Sequence, residues 1–236
     1  NTSIAGILCC IFMTVSVHCE VEYSRILQGL TAVPWDIPAN VEKVNLRQNI
    51  ISSIGSSDFA GMTELWEIDL YDNQISSIAA DALNDLVSLK SLSLEKNLLT
   101  DFSAVHSAKA CPMLWYLNMN YNKITTVTTQ DLKGFNALSH LYIKLNPLTT
   151  FPNVSEISSK LVNYYLSGTY GSVDADLLGT TEKLIELGIT DSSLTFCVDF
   201  TGQQTATTLK RLHYSNNANL TPNLGPSCFA SLPLLE

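Results

Sequence analysis

The stretch Leu65-Trp-Glu-Ile68-Asp-Leu70-Tyr-Asp-Asn73-Gln-Ile75 decides the reading of this chain. It fits the template L-x-x-L-x-L-x-x-N-x-L, and the template keeps returning. It fits Leu89, Leu92, Leu94, Asn97 and Leu99, then Leu114, Leu117, Met119, Asn122 and Ile124, then Leu138, Leu141, Ile143, Asn146 and Leu148. One period upstream it fits Val41, Val44, Leu46, Asn49 and Ile51. Three weaker copies start at Leu161, Leu184 and Leu209, the last with Asn217, and a ninth opens at Leu235. Successive starts lie 24, 24, 25, 24, 23, 23, 25 and 26 residues apart, a regularity that marks a repeat architecture.

The residue types follow from the geometry. The L-x-L centre alternates with period two, so it reads as a short strand with its leucines inward and the x residues outward. Asn at the ninth position closes the turn after the strand. Its amide both donates to and accepts from backbone groups of neighbouring coils, so Asn49, Asn73, Asn97, Asn122, Asn146 and Asn217 read as a structural ladder. Phe59, Leu83, Leu132 and Leu178 seal the far side. No single repeat buries its own apolar face, so the stack is the stable unit. In the sixth and seventh repeats Thr169 and Ser192 replace the ladder Asn, and Gly188 falls mid-strand. Drift in a tolerant scaffold, a local bend and a ligand approaching backbone all fit that glycine.

Composition narrows the class. Of 236 residues, 46% are hydrophobic, enough for a large core, and only 15% are charged, which argues against disorder. Net charge is −9, with no basic run to meet a phosphate backbone, so nucleic acid is not an expected partner. Residues 4–17, IAGILCCIFMTVSV, carry no charge and have the length of a signal-peptide core. Residues 1–19 are therefore read as a truncated signal peptide, cleaved between Ser16 and Glu20. Residues 20–40 are read as an N-terminal capping segment, and 41–236 as eight repeats and the start of a ninth. Membrane contact is expected only through a C-terminal segment beyond this chain.

The pattern resembles the extracellular leucine-rich repeat proteins of the typical 24-residue subclass, such as Toll-like receptors and small matrix proteoglycans, over residues 29–236. The resemblance implies an α/β solenoid, a horseshoe with a parallel β-sheet on the concave face and loops and short helical turns on the convex face. Gly29 to Pro38 looks like the strand joining the family's cap to its first repeat. The family's cap carries about four cysteines upstream of that strand, and here only Cys19 stands there, so Val21 to Leu30 is the alternative shield for the first coil. The back segments alternate in two kinds. Asp81-Ala-Leu83, Asp131-Leu132 and Asp176-Leu177 read as helical turns capped by Asp. The stretches from Phe102, Phe151 and Phe196 read as extended loops, with Pro152 favouring that at Phe151.

The family binds with its concave sheet, which places the third, fifth, seventh and eighth residue of each repeat outward. Tyr142 and Tyr165 then lie side by side at the fifth position, Tyr116 and His140 at the third, and Tyr71 and Tyr121 extend the set. Exposed aromatics are frequent anchors of protein interfaces, although Tyr also suits exposed strands by propensity alone. Glu67, Asp69, Asp72 and Glu95 form an acidic patch that reads as a solvated face, because a flat strand does not wrap a cation. Asn153 and Asn219 begin glycosylation sequons. Cys111 reads as a buried thiol. Cys197 and Cys228 are candidates for a disulfide, though if cleavage spares Cys19 the four remaining cysteines allow three pairings. No catalytic motif or metal-ligand spacing is found, so neither an enzyme nor a cofactor or metal site is expected. The expected function is an extracellular scaffold binding a protein or glycoprotein ligand, as a receptor, adhesion or innate-recognition ectodomain. The alternative is a structural matrix protein.

Overall fold

A computed structural model describes residues 20–168, 181–192, 207–217 and 232–234. Their main feature is a nine-stranded parallel sheet, one strand per coil. The strands are β1 (Glu22–Ser24), β2 (Lys43–Asn45), β4 (Glu67–Asp69), β6 (Ser91–Ser93), β7 (Tyr116–Asn118), β8 (His140–Leu148), β9 (Asn163–Gly168), β10 (Glu186–Ile189) and β11 (Arg211–His213). They neighbour one another in chain order, which makes a parallel β-solenoid. A two-stranded sheet of β3 (Ser53–Ile54) and β5 (Ser77–Ile78) runs along the flank.

The alternation holds. In β2, β4 and β6 the central residues Val44, Ile68 and Leu92 are buried and their neighbours half-exposed. Leu117, Leu141, Tyr164 and Leu187 continue that buried column. From β2 onward each strand pairs with the next one repeat on, as in Lys43 with Glu67 and Glu67 with Ser91, and the register shifts between Ile143 and Leu148 where β8 meets β9. Equivalent positions therefore form straight columns across the sheet.

The asparagines tie coil to coil. Asn97 donates from Nδ2 to the carbonyls of Leu94 and, one coil back, Leu70, each at 3.0 Å, and its Oδ1 accepts from Ile75 N at 2.9 Å. Asn73, Asn122 and Asn146 repeat the pattern, and Asn217 accepts from Ser192 N and donates to Ile189 O. Ser192 replaces the amide with a hydroxyl that accepts from Gly168 N and donates to Thr190 O. Just before each ladder residue the backbone turns left-handed, at Gln48, Asp72, Lys96, Tyr121, Leu145, Asp191 and Asn216, with φ between 53° and 58°. That conformation is uncommon outside glycine.

Four sequence expectations need correction. The strand before the first repeat is β1, not the Gly29–Pro38 segment, which contains no strand. Residues 20–30 form a coil end of their own: Leu27 is left-handed like the turn residues, and Asn49 accepts from Gln28 N and Leu30 N. The Phe102–Ala110 segment forms 3₁₀ turns on either side of a kink at Val105 rather than an extended loop, and Asp101 caps its start by accepting from Ser103 N. Asp131 is not the cap of α1 (Thr129–Leu132). Thr128 is, in a reciprocal box in which Asp131 sits at the third helical position. Lastly, in β2, β4, β6 and β7 the seventh and eighth positions lie beyond the strand, in the turn. Phe151 does lie in a loop. Asp176, Leu178, Thr169, Phe196 and Leu235 lie outside the described residues.

Candidate functional site

The straight columns bring the predicted aromatics together. Tyr116 faces His140, and Tyr142 faces Tyr165, each pair on adjacent strands. The Tyr142 and Tyr165 rings are stacked, centroids 5.3 Å apart and 14° from parallel. Tyr116 reaches Tyr142 diagonally at 5.3 Å. Two further residues join that were not among the aromatic candidates. Trp115 lies at the second position, outside the outward set, and meets Tyr116 and His140 edge-on at 5.8 and 5.0 Å. His213 lies beyond Gly188 and reaches the Tyr165 ring at 5.6 Å. A signal for Trp115 existed, since Trp66 holds the same repeat position and meets Lys43 and Lys90 there.

Gly188 explains the reach to His213. Residues two strands apart are separated by about 9.6 Å, so upright rings would not meet. Tyr165 leans across the intervening strand. A Cβ at Gly188 would stand 2.6 Å from its Cε1, 3.1 Å from its Cγ and closer still to Cδ1. The mid-strand glycine is thus accounted for by a ring of this chain lying on its backbone. The leaning phenol donates to Glu186 Oε1, which also meets His213 Nε2 at 2.8 Å, while Arg211 donates to Oε2 at 3.2 Å.

Electrostatics follow from these contacts. Burial, then the bond to Glu186, pushes the Tyr165 hydroxyl well above the usual phenol range. Burial works against the charge on Glu186, but its bonds from Tyr165 and His213 and the Arg211 charge outweigh that and hold its carboxyl low. Burial raises Tyr116 and lowers His140, so His140 favours the neutral form.

Tyr71 and Tyr121 do not join the row. Arg47 and Lys96 approach the Tyr71 ring at 4.6 and 4.8 Å, and Lys96 donates to its hydroxyl. Tyr121 projects from a left-handed turn, with Lys96 6.0 Å from its ring. Between Tyr71 and Tyr116 lies a hollow of about 270 Å³, floored by Ser91 and Ser93. The carboxylates at its rim are engaged: Asp69 with Arg47, Glu67 with Lys43, Glu95 with Asn118. Asp72, the fourth residue of the acidic patch, is one of the left-handed turn residues. No cluster able to hold a metal occurs among the described residues, and no helix there is long and apolar enough to cross a membrane.

Asn153 sits in the loop after β8, its Oδ1 accepting from Ser155 N. Cys111 is a buried free thiol whose ionisation burial pushes up to about 12. Asn219, Cys197 and Cys228 lie outside the described residues.

A family model described as leucine rich repeat matches residues 39–99. Those residues are leucine-rich repeats, and the parallel solenoid of the described residues is the fold such repeats build. The chain is 36% identical to opticin of Canis lupus familiaris over 101 residues, which cover 43% of the chain and 29% of opticin. It is 37% identical to immunoglobulin superfamily member 10 of Homo sapiens over 67 residues, 28% of the chain and 2% of that protein. The chain thus matches less than a third of either relative's length. Among solved structures it resembles a chain of the octameric complex of Latrophilin 3, Unc5D and FLRT2 (LRR). The TM-score is 0.68 at 21% identity, covering 91% of this chain and 65% of that one. At that identity the likeness is one of fold.

Proposed function

We propose that this chain is an extracellular recognition scaffold that binds a protein or glycoprotein ligand through its concave face. Its role is that of a receptor, adhesion or innate-recognition ectodomain. One observation carries the reading: the partly or fully exposed row of Trp115, Tyr116, His140, Tyr142, Tyr165 and His213, which runs from β7 to β11 along one face. Tyr and Trp at a patch centre are typical of the residues that dominate binding energy. These rings are already ordered by one another, so little side-chain freedom is lost when a partner arrives. The fold neighbour named above is itself part of a multi-protein complex, which fits the same reading. The extracellular location rests on the charge-free stretch 4–17, read as a signal core, and on the sequons at Asn153 and Asn219. The Asn153 loop follows the sheet strand, so a glycan there leaves the concave face free.

The test is capture of partners from extracellular extract by the folded chain, followed by affinity measurement on the parent and on Tyr142→Ala/Tyr165→Ala. The double variant is expected to lose more than roughly 2 kcal/mol of binding, about 30-fold in Kd. Unchanged affinity would place the site elsewhere.

A further inference from the structure

The three tyrosines of the row differ in what their hydroxyls do. Tyr116 accepts a long bond from Asn118 Nδ2 at 3.4 Å, and Tyr142 accepts one from Asn163 Nδ2 at 3.5 Å. Neither hydroxyl donates to any described residue, so each keeps its proton for an outside acceptor. Tyr165 is the opposite case, because its proton is committed to Glu186. Glu186 is in turn held by Arg211 and His213 from the next strand. Tyr165 reaches this carboxylate over Gly188, where any side chain would occupy the ring's place.

We propose that Gly188 and Glu186 are positioning residues that withdraw the Tyr165 hydroxyl from recognition and leave Tyr116 and Tyr142 as the phenol donors a partner meets. The inference rests on the concave-face reading above and refines it. Tyr165 then serves as an abutment: its ring stacks against Tyr142 and fixes it, while its hydroxyl is turned along the sheet to Glu186. A phenol O–H donor calls for an oxygen acceptor. The surface therefore fits a polypeptide segment that sets two carbonyl or carboxylate oxygens against Tyr116 and Tyr142, whose ring centres are 5.3 Å apart.

Tetranitromethane, which nitrates tyrosine through the phenolate, reads the positioning without any partner. The folded chain is nitrated at mildly alkaline pH and the products are mapped by peptide mass. Tyr165 is expected to react at least roughly tenfold more slowly than Tyr142, the effect of one unit in phenol ionisation. Gly188→Ala and Glu186→Ala should each raise the Tyr165 rate toward that of Tyr142, and Glu186→Ala keeps the test valid if the glycine variant misfolds. Equal rates in the parent chain, or a ratio that neither variant moves, overturn the proposal. The division of labour is read on a captured partner, where Tyr142→Phe should lose binding and Tyr165→Phe should retain it. Equal loss in both sinks the division but leaves the concave face as the site. Failure of the parent to capture any partner defeats the concave-face reading, and the nitration ratio still decides the positioning.

Discussion

Replacing Asn97 by alanine tests what holds the coils together. Asn97 is 4% exposed, and its amide makes bonds to two coils. The alanine variant removes the bonds from Nδ2 to Leu70 O and Leu94 O and the bond that Oδ1 accepts from Ile75 N. The two carbonyls do not become orphans, since Asn73 still donates to Leu70 O and Asn122 to Leu94 O. Ile75 N–H is the group left without its acceptor, and it is buried. An unsatisfied buried donor costs about 1–3 kcal/mol, and the lost donor bonds and small void add to it, for a total of about 3 kcal/mol. For a chain of this size that is about 6–12 °C in the melting midpoint. Because repeat stability is largely a nearest-neighbour sum, the loss should concentrate between the second and third repeats. Thermal melting followed by circular dichroism gives the total, and hydrogen exchange at the Ile75 amide gives the location. The same substitution at Asn49 should instead release residues 20–30, whose amides Gln28 and Leu30 it holds. An Asn97→Ala cost under about 1 kcal/mol, or undiminished protection at Ile75, would refute the reasoning.

Gly188→Ala should destabilise the chain by about 1–2 kcal/mol, the overpacking cost less the backbone gain of losing a glycine. In a Tyr165→Ala background it should be neutral or stabilising, and a denaturation cycle showing the same cost in both backgrounds would remove the ring clash as the cause. Burial works against the Asp131 carboxylate, but bonds from Thr128 and His106 outweigh it and hold the carboxyl below its usual 3.8. A depressed carboxyl stabilises above the unfolded value, and that stabilisation is lost as pH falls through the lower folded value. Asp131→Asn should therefore cost about 1 kcal/mol at neutral pH and nothing in strong acid, as chemical denaturation at both pH values would show. Burial lowers His140 from the ordinary 6.5, so the folded chain favours the neutral ring. Stability from this group is present above the ordinary value and is lost as pH falls below it. A titration of the His140 ring by NMR should give a midpoint below 6.5, and a midpoint at or above it contradicts the burial of the ring.

Much of this architecture could be read from the residues alone, and the site only in part. A period near 24 with inward positions one, four and six is enough to place the strands, because no other arrangement buries Val44, Ile68 and Leu92 while leaving Lys43 and Glu67 outward. Strict stacking then puts Tyr142 beside Tyr165 without further information. The ninth-position asparagines were legible for the same reason, since a buried turn has backbone groups that only such an amide satisfies from both sides. The back segments were less legible. Asp131 and Thr128 are three residues apart, and either pattern of Asp and Thr suits a helix start until the backbone direction is known.

What the sequence by itself determined is the column in which each outward residue stands. What only the tertiary structure decided is where its side chain then goes. Tyr165 leans over Gly188 to Glu186 and His213 because a missing Cβ on the neighbouring strand opens that direction, and the neighbour is 23 residues away. Trp115 enters the row from a position that should face sideways, because His140 on the next strand gives its edge a partner. Column membership is local and periodic, so a one-dimensional pattern encodes it. Side-chain direction depends on the size and charge of residues one coil away, and that information exists only once the coils are stacked.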